Sequence, residues 1–119
     1  MNQQSRINHL LKEKDHTFYG QIKDGQATSP NLVIRQKNGN QLAFGYHYLA
    51  KEMQYNPSTG ITLYFLDPDS TKTIHIQGRN LLPLWDALVW HKITFIQELE
   101  HDLVEADEKE LCIEVITIT

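Results

Sequence analysis

The chain has 119 residues, 40% of them hydrophobic and 22% charged, with a formal net charge of −4. These proportions favour one globular domain with a core that needs neither disulfides nor metal. A single cysteine, Cys112, excludes an internal disulfide, and no apolar run approaches the ~20 residues of a membrane span. With no apolar signal segment either, we expect a cytoplasmic protein that does not bind membranes.

Residues 1–16 are polar and of mixed charge, which predicts a loosely held N-terminal segment before a single domain over 17–119. A weak strand is expected over 17–23, followed by a loop. Two alternating runs, 32–36 and 41–46, flank Asn38 and Gly39, which predicts a hairpin with a two-residue turn and positive φ at both residues. Ala43 and Gly45 place small side chains on one face, where close approach is expected.

Three further strands are predicted in the middle of the chain. Residues 51–55 look extended, and residues 61–66 alternate with apolar residues on both faces, which indicates a central strand. Residues 73–77 alternate again, until Gly78 breaks the pattern.

A helix is predicted over 81–91, where apolar residues recur every three or four positions. Asn80 is the expected N-cap, Pro83 fits the first turn, and Asp86 is expected near the positive end of the helix dipole. Trp85 lies on the apolar stripe, whereas Trp90 lies about 140° away from it.

Residues 93–98 either extend this helix or form a strand, and their β-branched and aromatic residues favour the strand. A last strand is expected over 111–119, with Cys112 buried as a small apolar side chain. The fold class is therefore α+β: an antiparallel β meander or partly open barrel of about six to eight short strands, packed on one main helix.

Negative charge is concentrated in residues 98–110, the acidic segment, which holds seven carboxylates and one lysine and so carries −6. The remaining chain carries only +2, which does not favour a nucleic-acid partner. We expect the whole acidic segment to be exposed because burying so many charges is costly. Glu105, Asp107 and Glu108 are the candidate residues for steering a basic protein partner.

A set of positions in the central part of the sequence forms a pattern of its own. These positions are Tyr46, Tyr48, Leu49, Tyr55, Asn56, Pro57, Gly60, Ile61, Leu63, Phe65, Ile76, Gly78, Arg79, Asn80, Leu81, Leu84, Leu88, Ile93 and Glu98. With them the chain resembles, over roughly residues 32–98, an uncharacterised small bacterial protein family of cyanobacterial type. The resemblance implies a small stand-alone domain, and it implies no activity, ligand or catalytic residue.

No motif of an enzyme or a metal site occurs in the sequence. The six histidines lack zinc-binding spacing, although His47, His75 and His91 could meet in the fold, and Asp67 and Asp69 suggest a turn rather than a calcium loop. We therefore expect no catalytic residue, no metal and no cofactor.

Two residues are candidates for binding. Arg79, between a strand and the helix, is suited either to holding a carboxylate or phosphate or to an internal clamp, and the clamp is favoured. Trp90 either packs under a loop or is exposed and marks an interface.

The leading functional hypothesis is a non-catalytic interaction module. The alternatives are an immunity or inhibitor-like protein that binds a basic partner through the acidic segment, and a small enzyme. We also expect self-association as a dimer, through the terminal strand and Trp90, because unprotected strand edges recruit partners.

Overall fold

The computed structural model describes residues 18–23, 25, 27–50, 52–99 and 110–119. Residues 1–17 and 100–109 lie outside this range, so the predicted N-terminal segment is not tested. Besides a one-turn 3₁₀ helix at Tyr46–Tyr48, the described residues form eight strands and one α-helix. They are β1 (Tyr19–Gln21), β2 (Asn31–Arg35), β3 (Gln41–Gly45), β4 (Gln54–Asn56), β5 (Gly60–Phe65), β6 (Lys72–Arg79), α1 (Leu82–Val89), β7 (Ile93–Gln97) and β8 (Cys112–Ile118).

The strands form two four-stranded sheets. Sheet A has the order β1-β7-β2-β3, and sheet B has the order β4-β5-β6-β8. All the pairs are antiparallel except β2 and β7, which run parallel. The predicted α+β class with dominant antiparallel pairing and one helix is confirmed. The sheets do not close into a barrel, so of the two predicted alternatives the antiparallel meander describes the fold.

The core lies between the inner faces of the two sheets and the helix. Phe44 of β3 stacks on Phe65 of β5 with ring centroids 4.7 Å apart, which joins the sheets directly. Burial of this kind contributes about 25 cal/mol per Å² of apolar surface, so these side chains dominate the stability of the fold. The fully buried large side chains are Leu32, Ile34, Ile61, Leu63, Ile74, Ile76, Leu84, Leu88, Ile93, Ile96, Ile113 and Cys112.

The helix α1 is shorter than predicted, and its N-terminus differs from the prediction. Leu81, not Asn80, occupies the N-cap position, and no side chain caps the helix. Asn80 instead has a φ of +57°, and its side-chain amide donates to the backbone oxygen of Glu110 at 2.9 Å. The predicted Asn80 cap is therefore wrong, and Asp86 lies beyond the first turn. Pro83 does lie within the first two positions.

The C-terminus of α1 is closed by a Schellman motif. His91 has a φ of +57° and donates its N–H to Leu88 at 3.0 Å, while Lys92 donates to Ala87 at 2.9 Å. Glycine is the usual residue at this left-handed position, so histidine adopts it at some conformational cost. The His91 ring stacks on buried Tyr46 with centroids 4.5 Å apart, a contact that offsets the cost.

The β2–β3 hairpin forms where it was predicted, but its turn is longer. Gln36 donates to Asn40 at 2.9 Å and Gly39 donates to Gln36 at 3.0 Å, so three residues form the loop. Gly39 has a φ of +94°, whereas Asn38 has no positive φ. The prediction of a two-residue turn with both residues left-handed is therefore wrong. A type I turn followed by a left-handed glycine is the usual three-residue alternative.

Strand positions agree with the sequence patterns in most places. β5 lies between β4 and β6, as expected of a central strand, and residues 93–97 form a strand rather than a helix extension. β6 continues past Gly78 to Arg79, further than predicted. A β-bulge lies at this point, and a Cβ at Gly78 would overlap the carbonyl oxygen of Cys112. The glycine therefore permits pairing with β8 instead of ending the strand.

Candidate functional site

Arg79 lies at the end of β6, next to the final strand. Its Nε atom is 3.9 Å from Oε1 of Glu114, and the two side chains are 38% and 51% exposed. At this distance and exposure an ion pair contributes about 0–1 kcal/mol. Both the internal clamp and a binding role for Arg79 therefore stay predictions.

Trp90 is 71% exposed, more than any other large apolar side chain in the described residues. It is the C-cap residue of α1, and exposed Leu82 and Val89 lie on the same helix. An eight-residue helix is ~12 Å long. Arg79 and Trp90 flank its opposite ends, so the structure does not bring these two candidate residues together.

Glu98 corrects one prediction about the acidic segment. It was expected to be exposed, but it is only 5% exposed. Its two carboxylate oxygens accept the backbone N–H groups of Lys37 at 2.8 Å and Ile116 at 2.7 Å. These bonds replace the water that a carboxylate loses on burial. Glu105, Asp107 and Glu108 lie outside the described residues.

The outer edge of β8 is covered by residues that directly follow β2 and β7 of sheet A. Ile116 donates to Glu98 and accepts from the side-chain amide of Gln36 at 3.1 Å. The backbone N–H of Leu99 donates to the carbonyl of Ile113 at 2.9 Å. These groups occupy positions that a neighbouring strand would fill, which weakens the argument for a dimer through the terminal strand.

The outer edge of β3 is open in the described structure. Gln36 pairs with Asn40, and Tyr46 donates to Pro30 at 3.0 Å, so the hydrogen-bonded pairs of the β2–β3 ladder fall on even-numbered residues. In an antiparallel ladder the alternate residues direct their backbone groups the other way. The outward-facing residues, which we call the β3 edge, are Gln41, Ala43 and Gly45. No described residue pairs with them.

The β3 edge lacks the devices that usually protect a strand edge. Short strands, charged side chains, prolines, bulges and covering groups are the common protections. β1 and β4 have three residues each, β1 pairs through a bulge, and β8 is covered. β3 has five residues, QLAFG, with no charge and no proline. Among the described edges it is therefore the one best suited to accept another strand.

Aromatic side chains surround the end of β3. Tyr46 follows directly, and its buried hydroxyl donates to the carbonyl of Ile93 at 2.7 Å. Tyr48 is 51% exposed, and its ring lies beside His47 with centroids 4.0 Å apart. The Tyr46 ring also stacks on His91, with centroids 4.5 Å apart, on the side of sheet A away from its open edge. Exposed rings near an open edge suit contacts with a protein chain.

The other groups that carry chemistry lie apart from one another. Among the described residues, no three histidine, cysteine or acidic side chains lie close enough to hold a metal ion. Nδ1 of His75 is 2.9 Å from the Thr62 hydroxyl, on the outer face of sheet B. Asp67 accepts the N–H of Asp69 at 3.0 Å, as in a simple turn. Cys112 is 1% exposed, which confirms its prediction as a buried residue.

Sequence reasoning missed the β3 edge because a strand's neighbours follow from the whole sheet order. The sequence indicated only that Ala43 and Gly45 leave room on one face. At Gly45 the rings of His47 and Tyr48 fill that room, since both would lie 3.3 Å from an added Cβ. Ala43 is exposed.

No family model, curated protein or solved structure matches the chain. The resemblance to the small bacterial family therefore stays a hypothesis. In the described residues there is no helix with the length and apolar character needed to cross a membrane.

Proposed function

We propose that the protein is a non-catalytic interaction module that binds an extended polypeptide segment by adding it to sheet A as a fifth strand. The open β3 edge carries this proposal, because Gln41, Ala43 and Gly45 each direct a backbone donor and acceptor outward. An added strand satisfies these groups with its own backbone, which gives affinity with little dependence on sequence. We place the module in the cytoplasm, where its single cysteine stays reduced.

Tyr48 is 51% exposed and lies three residues beyond the end of β3, where it can supply apolar contacts to side chains of the bound segment. Trp90, 71% exposed at the end of α1, offers a separate apolar contact that strand addition does not require. Arg79 lies in sheet B, beside Glu114. Strand addition takes place at sheet A, so it does not require Arg79.

A library of random linear seven-residue peptides provides the probe. Binders are selected on the wild-type protein and measured against two variants at one position. Ala43→Pro removes an outward N–H, whereas Ala43→Val keeps that N–H and favours extended backbone. We expect Ala43→Pro to lose the selected peptides and Ala43→Val to retain them.

Backbone methylation of a selected peptide tests the geometry independently. In strand addition, only every second peptide N–H donates to the β3 edge. N-methylation at alternate positions should therefore abolish binding, and N-methylation at the intervening positions should spare it. Binding that is insensitive to both Ala43→Pro and the methylation pattern would refute strand addition.

A further inference from the structure

We infer that the segment added at the β3 edge is β3 of a second copy of this chain, so that two sheets A join into one continuous sheet across a two-fold axis. This inference rests on the proposed function, because it names the occupant of the same edge. Association was predicted through the terminal strand, but the edge of that strand is covered by Glu98, Gln36 and Leu99. We therefore assign self-association to β3 instead.

The register of β3 is compatible with self-pairing. The outward-facing residues are spaced symmetrically about Ala43, so Ala43 lies opposite Ala43 of the second copy on the axis. Gln41 then lies opposite Gly45 of the second copy, and the reverse pair repeats on the other side. Each of these three pairs exchanges two backbone hydrogen bonds.

The side chains of β3 fit this arrangement on both faces. On the outer face, two small alanines meet at the axis, and Gln41 lies opposite Gly45, beside the rings of His47 and Tyr48. On the inner face, half-buried Leu42 and Phe44 lie where sheet A ends. Pairing places Leu42 opposite Phe44 of the second copy, in the close non-hydrogen-bonded positions, and so covers apolar surface that the single chain leaves exposed.

Electrostatics also favours a second copy over a charged partner segment. A two-fold axis brings identical residues together, so a charged residue at its centre would repel its own copy. β3 carries no charged residue along its whole length. An edge of five residues covers less surface than most stable dimers bury, so the expected dimer is weak and concentration-dependent.

Cysteine substitution gives the sharpest test. Opposite residues of a hydrogen-bonded antiparallel pair have Cα atoms ~5.5 Å apart, within the range that a disulfide spans. Ala43→Cys should therefore form a covalent dimer with diamide as the oxidant. Gln41→Cys is the matched control, because the two copies of residue 41 are offset by four residues, or about 14 Å, along the strands. Native Cys112 is buried and should not react.

Sedimentation equilibrium over a wide range of protein concentration tests the unmodified chain. We expect wild type and Ala43→Val to form dimers reversibly, and Ala43→Pro to raise the dissociation constant about tenfold or more by removing one N–H from each copy. Should the proline variant fail to fold, Ala43→Lys serves instead. Two lysines on the axis repel each other, and added salt should restore part of the association.

The outcomes separate this inference from the proposed function. A wild-type chain that remains monomeric, with equal cross-linking of Ala43→Cys and Gln41→Cys, overturns self-pairing but leaves peptide binding at the β3 edge standing. A dimer that Ala43→Pro and Ala43→Lys do not weaken also overturns it, because the association then uses another surface. Loss of peptide binding and dimer formation together in Ala43→Pro supports both.

Discussion

The carboxylate of Glu98 accepts the backbone N–H of Ile116 at 2.7 Å and thereby joins the end of β7 in sheet A to the outer edge of β8 in sheet B. Its other oxygen accepts from Lys37 in the β2–β3 hairpin at 2.8 Å. One acidic side chain thus ties three parts of the chain that are distant in sequence. The same contact protects the β8 edge, which leaves the β3 edge as the place for strand addition.

Glu98→Gln should lower the free energy of unfolding by about 1–3 kcal/mol. The amide has only one accepting oxygen, so either Lys37 or Ile116 loses its acceptor and faces an N–H₂ group instead. Urea unfolding measures the change. Glu52→Gln is the matched control, because Glu52 is exposed, and equal stability of the two variants would show that Glu98 does not tie the sheets.

Leu88→Ala should cost about 2–4 kcal/mol because it opens a cavity beneath the helix. Leu88 is fully buried in the core, whereas Leu82 on the same helix is 51% exposed. Leu82→Ala is therefore a control for helix propensity, and it should cost well under half as much. Urea unfolding of both variants checks the difference, and a loss under ~0.5 kcal/mol for Leu88→Ala would place the core elsewhere.

Gly39→Val should destabilise the protein by about 1–3 kcal/mol, through backbone conformation alone. The φ of Gly39 is +94°, a region that β-branched residues resist, yet an added Cβ would meet nothing within 4 Å. Asn tolerates the left-handed region better, so Gly39→Asn should retain most of the stability. Equal thermal unfolding of the two variants would contradict the conformational explanation.

Because of Tyr46, the stability of the protein should decrease as pH rises under alkaline conditions. Burial raises the pKa of its hydroxyl well above the ordinary value. Above pH ~10 the unfolded chain loses this proton while the folded chain keeps it, so the free energy of unfolding decreases as pH rises.

Tyr46→Phe tests the alkaline effect by difference. The variant leaves the Ile93 carbonyl without its donor and should cost about 1–3 kcal/mol at neutral pH. The difference in the free energy of unfolding between wild type and Tyr46→Phe should then become smaller above pH ~10. Wild type loses stability there, whereas the variant does not, because phenylalanine does not titrate. If urea unfolding gives the same difference in free energy between the two proteins below and above that pH, burial does not raise the pKa of Tyr46.

Local patterns in the sequence predicted most of the elements. The 3.6-residue period gave the helix with Leu84 and Leu88 inward, and alternation gave β5 as a central strand. The ends of elements were less predictable, because Asn80 uses its side chain to reach Glu110 across thirty positions rather than to cap the helix. Such distant partners leave no trace in a local pattern.

The buried carboxylate and the open edge depend on tertiary pairing. Glu98 was predicted as the first residue of an exposed acidic segment, although it follows Ile96 by two positions and so shares the inward face of β7. Because alternate residues of a strand point to the same face, the spacing from Ile96 was the signal in the sequence that indicated burial of Glu98. The parallel pairing of β2 with β7 decides which strands become edges, and hydrophobic period does not specify that order.

The bond from Leu99 to Ile113 has a consequence for engineering and for evolution. Leu99 and Ile113 are held together by this bond and by the strands they adjoin. Their positions therefore do not depend on the length of the chain between them. Closing a longer flexible connection costs only ~0.6 kcal/mol for each doubling. Lengthening the chain between Leu99 and Ile113 should therefore cost little stability and leave the two sheets intact.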